Sequence, residues 1–516
     1  MEKKLRFSGV LLHPTSLPGG HGIGDLGPKA MEFVKLLSDS SVSMWQILPL
    51  SPVGYGNSPY AAQSAFAGNE LLISLELLYR QGLLAKEDLF SSTGFETRFV
   101  DYPNVQKFKL PLLRKAVDTF LEKSSAAMKR EYEEFQQDSA YWLDDYALYK
   151  VMCDHYNDSR WFSVWDRDLA ERESDAVRTW TEKKRAGIER YKVLQFFFHQ
   201  MWDDLHEYAT EHNVAIVGDL PIFVAHDSVD AWCHRSFLKM DSEGHLEKVA
   251  GVPPDAFSPT GQLWGNPVYD WDALREDGYS WWVRRMTHQL KMTDMVRIDH
   301  FRGFDAAWEV PAEDTTAENG SWVKGPGQDF FSALKRELKV LPVIAEDLGV
   351  ITPSVEKLRD DNGFPGMRIL QFGFNYDEKG DLDASHFYLP HNYDEMCVAY
   401  TGTHDNNTSR GWYDELPEGH KDLVRRYLSC DDRSVVWYMI RSVMASGARW
   451  AIVPFQDLVE AGANGRMNFP GTCSPENWAY RIPENSCDEN MRKKLEAIVK
   501  PFGRTGNYLK FMNTLS

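Results

Sequence analysis

Eight short apolar segments, each running into a polar or glycine-rich turn and most separated by amphipathic helical stretches, predict an α/β fold, a (β/α)8 TIM barrel. A second observation agrees with this. Four of the segments end in a carboxylate, and barrels of this type carry their chemistry at the C-terminal ends of the strands. The third observation is one of length: the gap between the second and third segments is too long for an ordinary crossover, whereas about 60 residues follow the eighth. The expected architecture is a single catalytic barrel over residues 1–516 with a helical insertion and long rim loops, and no C-terminal β-sandwich.

The first strand falls in "SGVLLHPTSL" (8–17) and leads to "GPKAMEFVKLLSDS" (27–40), where Pro28 suits a helix start and Ala30, Phe33, Val34 and Leu37 form one apolar face. "MWQILPL" (44–50) is the second. Residues 70–190, with "KLPLLRKAVDTFLEK" and "YWLDDYALYKVMCDHY", read as an inserted, mainly helical subdomain. The helix in "RYKVLQFFFHQMWDDLHEYATEHN" (190–213), with Leu194, Phe197, Met201, Leu205 and Tyr208 on one stripe, then brings the chain to the third strand, "VAIVGDLPIF" (214–223). Residues 224–280 contain "GVPPDAFSPTGQLWGNPVYDW" (251–271), whose density of Pro, Gly and aromatics predicts an active-site loop. "MVRIDHF" (295–301) is the fourth strand, and residues 311–328 form a further loop. "PVIAEDLG" (342–349), "MRILQFGF" (367–374), "CVAYTGTHDN" (397–406) and "RWAIVPFQDL" (449–458) complete the set.

An open doubly wound sheet also alternates strands and helices, and Gly22, Gly24 and Gly27 do spell G-x-G-x-x-G. Pro14 and Pro18 stand between the strand and these glycines, which is the wrong setting for a dinucleotide turn. No cofactor is therefore expected.

The formal net charge of −19 disfavours nucleic acid and anionic membrane, since both are bound through clustered Lys and Arg. A neutral substrate is expected. No stretch approaches the roughly 18 apolar residues of a membrane span, and the N-terminus lacks a signal-length apolar run, so a cytoplasmic location is expected. Cys153, Cys233, Cys397, Cys430, Cys473 and Cys487 are scattered without a C-x-x-C pair, which indicates reduced thiols and no zinc site. With 17 Trp and 22 Tyr the chain is rich in rings on which pyranose faces can pack.

Reading the strand ends gives Asp219, Asp299, Glu346 and Asp405. Any one of them could cap the helix that follows, but four on one rim point to chemistry. In an extended "MVRID" segment Val296 and Ile298 face one way and Arg297 and Asp299 the other, so a cation accompanies Asp299 and favours its ionised form. Glu346 has Ala345 beside it and no basic residue within several positions, which predicts a raised pKa. Neighbouring strands set the two acids facing each other, and a nucleophile and an acid/base about 5 to 5.5 Å apart are what retaining glycosidic transfer needs. His404 beside Asp405 can join it in hydrogen-bonding sugar hydroxyls.

The motifs "LLHPTSLPGGHGIGDLG", "WQILPLSPVGYGNSPYAAQSAFAGN", "VGDLPIFVAHDSVDAW", "PPDAFSPTGQLWGNPVYDW", "VRIDHFRGF", "IAEDLG", "TGTHDN" and "RMNFPGT" occur in the order seen in the 4-α-glucanotransferases of glycoside hydrolase family 77, in the α-amylase clan. The chain closely resembles that family over nearly its whole length. The resemblance implies Asp299 as nucleophile, Glu346 as acid/base and Asp405 as transition-state stabiliser, with Arg297 and His404 as companions. It implies Tyr60 as a stacking aromatic on the donor side, Trp264, Gln262 and Asp255 on a loop covering bound glucan, Asp219 as a further acidic position, and Asn468 as a sugar contact. The implied partners are an α-1,4-glucan donor and a glucose or maltooligosaccharide acceptor, with no metal. An α-amylase-type hydrolase is the nearest alternative, and a non-catalytic glucan-binding barrel would lack one of the three catalytic carboxylates.

Overall fold

Parallel strands β1 (Phe7–Leu11), β2 (Met44–Gln46), β3 (Ala215–Pro221), β4 (Met295–Asp299), β5 (Val343–Ala345), β6 (Gly366–Ile369), β7 (Cys397–Tyr400) and β8 (Trp450–Pro454) pair in the order β6-β7-β8-β1-β2-β3-β4-β5. This is a computed structural model, and it describes residues 5–514 apart from 20, 91–93 and 256–257. Gly20 of the first motif and Ala256 and Phe257 of the 251–271 stretch thus lie outside the described residues. All five residues of β1 and of β8 are buried, as expected of parallel strands covered on both faces. Gly9 is required in β1, because a Cβ there would lie 2.9 Å from Ile452 on β8 and 3.1 Å from Met44 on β2.

Between β5 and β6 the ladder gives way to two bridging hydrogen bonds. Ala345 N–H donates to the Pro365 carbonyl at 2.9 Å, and Met367 N–H donates to Asp347 Oδ1 at 2.7 Å. Asp347 stands in for a strand carbonyl, and its other oxygen lies 2.5 Å from Arg359 Nη1 and 3.5 Å from Arg368 Nη1. The seam that nearly closes the barrel therefore adjoins Glu346.

The chain between β2 and β3 contains the helices Tyr102–Lys123, Leu143–Tyr156 and Arg185–Glu211. The last is one continuous 27-residue helix, so residue 190 falls inside it. Leu194, Phe197, Met201 and Leu205 of its predicted stripe are buried.

The rim differs from the sequence expectation. The two stretches read as loops, 224–280 and 311–328, supply three strands of a four-stranded antiparallel sheet, in the order Gln262–Pro267, Lys248–Val252, Ala306–Pro311, Ser321–Lys324. Residues with turn chemistry become strands here because their partners lie far away in sequence, as with Gly251 opposite Trp308.

The chain beyond β8 returns to the opposite end of the barrel. There the fully buried Arg504 guanidinium donates to the carbonyls of Met444, Phe7, Arg449, Ser446 and Ala448.

Candidate active site

β3 and β4 place Asp219 and Arg297 directly opposite one another, both pointing into the barrel. Arg297 Nη1 donates to both Asp219 oxygens, at 2.8 and 2.7 Å, while its Nη2 donates to Asp299 Oδ1 at 2.6 Å. One guanidinium is thus shared between two carboxylates. Burial alone would lower the proton affinity of Arg297, but Asp219 and Asp299 more than offset that and raise it. Alternation in β4 explains the arrangement: Val296 and Ile298 go to the apolar outer face and Arg297 and Asp299 to the inner one.

Immediately after β4, His300 adopts a left-handed conformation, φ +54°. That kink turns its N–H toward Glu346, which accepts at Oε2 from His300 at 2.7 Å and at Oε1 from Leu348 N–H at 2.9 Å. Backbone donors favour the ionised form, as does Arg297, yet burial and then the neighbouring Asp299 charge dominate and push Glu346 up to about 8. The raised value was expected from the lack of adjacent basic residues. Its physical source is desolvation, and Arg297 is a cation that sequence adjacency did not reveal.

Asp405 stands on the loop after β7, with its side chain 41% exposed to the cleft. Asn468 Nδ2 donates to its Oδ1 at 2.6 Å, Arg466 donates to its carbonyl at 2.7 Å, and His404 Nε2 lies 3.4 Å from its Oδ2. Burial lowers the His404 pKa, so a neutral imidazole flanks the carboxylate. The loop is clamped at both ends by buried Asp457, which accepts from Thr401 Oγ1 at 2.6 Å, and from Ser409 N–H and Oγ at 2.7 Å each.

Tyr60 stacks on His404 with ring centroids 5.2 Å apart and donates its hydroxyl to Asp219 at 2.8 Å. Trp264 is 38% exposed, stands edge-on to His300 at 4.8 Å and donates to Gln262 Oε1 at 3.3 Å. Asp255 accepts from Ser258 N–H at 2.7 Å in the turn preceding it.

Tyr60, Asp255, Gln262, Trp264, Arg297, Asp299, Glu346, His404, Asp405 and Asn468 all line one cleft of about 900 Å3. Asp219 corrects the expectation of a substrate contact: its carboxylate is fully buried beneath Tyr60 and Arg297, which occupy its oxygens. Asn468 does line the cleft, with Nδ2 donating to Asp405. Sequence reasoning missed His300, Arg302, Trp322, Phe372 and Trp478, which also line the cleft. The first two were within reach, since they follow Asp299 directly, whereas nothing in the local sequence marks Trp322 or Phe372. Among the described residues no group of three His, Cys, Asp or Glu side chains could hold a metal ion, and no helix is long and apolar enough to cross a membrane.

A family model described as 4-alpha-glucanotransferase matches residues 12–486. The 4-alpha-glucanotransferase of Synechocystis sp. is 44% identical over 503 residues, covering 97% of this chain and 98% of its own. The chloroplastic/amyloplastic 4-alpha-glucanotransferase of Solanum tuberosum is 42% identical over 509 residues, covering 97% of this chain and 86% of its own. Among solved structures, amylomaltase from Streptococcus agalactiae in complex with acarbose superposes with TM-score 0.92 at 38% identity, covering 97% of this chain and 99% of that one.

Proposed function

The chain belongs to the 4-alpha-glucanotransferase family, a family of retaining transferases, and from that premise we propose which residues carry the reaction and on what substrate. The donor is an α-1,4-glucan held with its non-reducing part on the Tyr60 and His404 side. Asp299, with Oδ1 fixed by Arg297, attacks the anomeric carbon through its other oxygen. As the glycosidic bond breaks, Glu346 gives its proton to the departing 4-oxygen, leaving a β-linked glycosyl ester on Asp299. The 4-hydroxyl of a glucose or maltooligosaccharide acceptor then loses its proton to Glu346 and displaces Asp299. Two inversions restore the α configuration.

The observation that carries this assignment is the opposite treatment of two neighbouring carboxyls. Arg297 Nη2 donates to Asp299, while burial and the Asp299 charge hold Glu346 at about 8, so Glu346 keeps its proton at neutral pH. Forming the ester removes the Asp299 charge, and with it one of the two causes of the raised value. The Glu346 pKa therefore falls once the ester has formed, and the carboxylate left after proton transfer is the favoured form, available as the base for the second step. Asp405, with Asn468 and His404 fixing its orientation, hydrogen-bonds the sugar hydroxyls of the bound ring as it flattens.

Transfer in preference to hydrolysis is attributed to Trp264, whose partly exposed ring on the rim strand Gln262–Pro267 walls the cleft, excludes water and orients an acceptor. In Trp264→Ala the ratio of transfer to hydrolysis should fall, and an unaltered ratio sinks that attribution. The assignment of Asp299 is tested with maltotriose. The wild type should give glucose and a ladder of longer maltooligosaccharides, and Asp299→Asn should give neither while remaining folded. Turnover retained by Asp299→Asn would overturn it.

A further inference from the structure

The small rim sheet presents one row of residues running across all four strands. Leu263 lies opposite Gly251, Gly251 opposite Trp308, and Trp308 opposite Trp322. Residues directly opposite across paired strands share a face, so the row is one continuous feature. Its two ends, Leu263 and Trp322, both line the cleft and are 36% and 40% exposed. Three strand spacings separate the ends, which makes the row roughly 14 Å long. That is far more than a single pyranose ring needs.

Trp322 is not a loosely exposed ring. The Arg302 guanidinium lies 3.6 Å from its centroid on one face, and Trp308 meets it edge-on at 5.2 Å and 67°. Arg302 is itself buried and donates to the Val350 carbonyl, while Trp308 Nε1 donates to the Ala317 carbonyl at 2.9 Å. A large aromatic surface is thus held rigid at the cleft wall, so little side-chain entropy is lost when a ligand packs on it.

We infer that this row is a shelf for the acceptor chain, with Trp322 as its distal aromatic platform, so that the enzyme prefers maltooligosaccharide acceptors to free glucose. The side follows from the proton donor. Arg302 follows β4 and Val350, whose carbonyl it binds, follows β5, whereas Tyr60 follows β2 and His404 follows β7, so in the strand order the Trp322 end of the shelf stands over β4 and β5, on the Glu346 side of the cleft. The group that receives the proton of Glu346, and later returns one, is the leaving or accepting sugar. The chain attached to that sugar extends past Glu346 and onto the shelf. This rests on the transferase reading and adds the recognition of acceptor length.

The test offers labelled glucose or labelled maltotetraose as acceptor to one unlabelled α-glucan donor and compares kcat/KM for the two. In Trp322→Ala the ratio favouring maltotetraose should fall about tenfold, the value of losing roughly 50 Å2 of apolar contact. Trp322→Phe should fall by about two- to threefold, and Leu263→Ala should shift the ratio the same way, which keeps the inference exposed if the alanine variant at 322 does not fold. An unchanged ratio in all three variants overturns the shelf. A wild type that builds no ladder from maltotriose overturns the transferase reading instead, so the two failures are distinguishable.

Discussion

Replacing Glu346 by Gln tests the origin of its raised pKa as well as its role. The shift from 4.5 to about 8 corresponds to roughly 5 kcal/mol of preference for the protonated side chain, at about 1.4 kcal/mol per unit. The groups around it are Asp299, which raises it, Arg297 and the two backbone N–H donors, which lower it, and His300, which burial holds near 4 and so keeps neutral. In wild type, kcat/KM for maltotriose should be limited on the alkaline side by a group titrating near 8. Glu346→Gln should lose about 10²- to 10⁴-fold of that rate. With α-maltotriosyl fluoride as donor, departure of fluoride needs no proton. The first step should then lose its alkaline limb, and the Gln variant should still release a burst of fluoride. An alkaline limb near 5, or one that persists with the fluoride donor, would refute the reasoning.

The same shift makes a statement about stability whose sign can be worked out. The folded value lies above the unfolded one, so the native state holds an extra proton between pH 4.5 and about 8. Wild type therefore loses stability as pH rises through that window, while Glu346→Gln has nothing to lose. The variant's advantage should be near zero at pH 4.5 and greatest above pH 8, with roughly 5 kcal/mol as a ceiling because the carboxyl opens on a solvent-filled cleft. For a chain of this size that is a difference in Tm of about 2 to 5 °C at pH 9 by scanning calorimetry. A variant less stable than wild type at pH 9 would show that Glu346 is not desolvated in the way described.

Arg297→Met leaves Asp219 and Asp299 without their shared cation, and should cost about 3 to 5 kcal/mol of stability together with nearly all activity, whereas Arg297→Lys should recover part of the stability but little turnover. Denaturant titration beside the maltotriose assay separates the two effects. Asp457→Ala releases both ends of the Asp405 loop and should lower kcat by at least about tenfold with a smaller change in KM, and Asp457→Asn, which keeps acceptor capacity at one oxygen, should restore a measurable part of it. Arg504→Met strands five carbonyls at the far end of the barrel and should cost about 3 kcal/mol or more while leaving kcat/KM of the folded enzyme unchanged. A stability loss below about 0.5 kcal/mol would contradict its role there.

The barrel was legible because its strands are short apolar runs ending in turn residues, and the charged ends of the runs stood out against them. The pair Arg297 and Asp299 could be assigned to one face from alternation alone. What could not be read was any contact across strands. That Arg297 grips Asp219 more fully than Asp299 depends on register between β3 and β4, and Asp219 was consequently placed in the cleft when it lies beneath it. The rim sheet was missed for the same reason: each of its strands carries glycines, prolines or charges, and its two local strand pairs are joined only through the distant pairing of Lys248–Val252 with Ala306–Pro311. The left-handed turn at His300 and the Asp347 bridge at the seam are equally invisible in one dimension, because a backbone N–H has no letter in the sequence.

Register also explains why the two carboxyls proposed to carry the reaction are treated so differently. A slip of one residue between β3 and β4 would bring Val296 or Ile298 opposite Asp219 and turn Arg297 to the apolar outer face. The outer face supplies the lock against this. Gly218 faces outward beside Asp219, and a Cβ there would lie 2.6 Å from Gln289 Nε2 and 2.8 Å from Thr293 Cγ2, so the helix Ser280–Met292 and the residue after it dock only where β3 has no side chain. A glycine on the outside thus fixes the phase of β3, and with it the acid that meets the guanidinium inside. Gly218→Ala should therefore damage turnover more than its burial of one methyl group suggests, and should do so through kcat, since Tyr60 is held by Asp219, and Asp299, the proposed nucleophile, by the same arginine that grips Asp219. Full activity in a folded Gly218→Ala enzyme would show that the strands are held in register by something other than this contact.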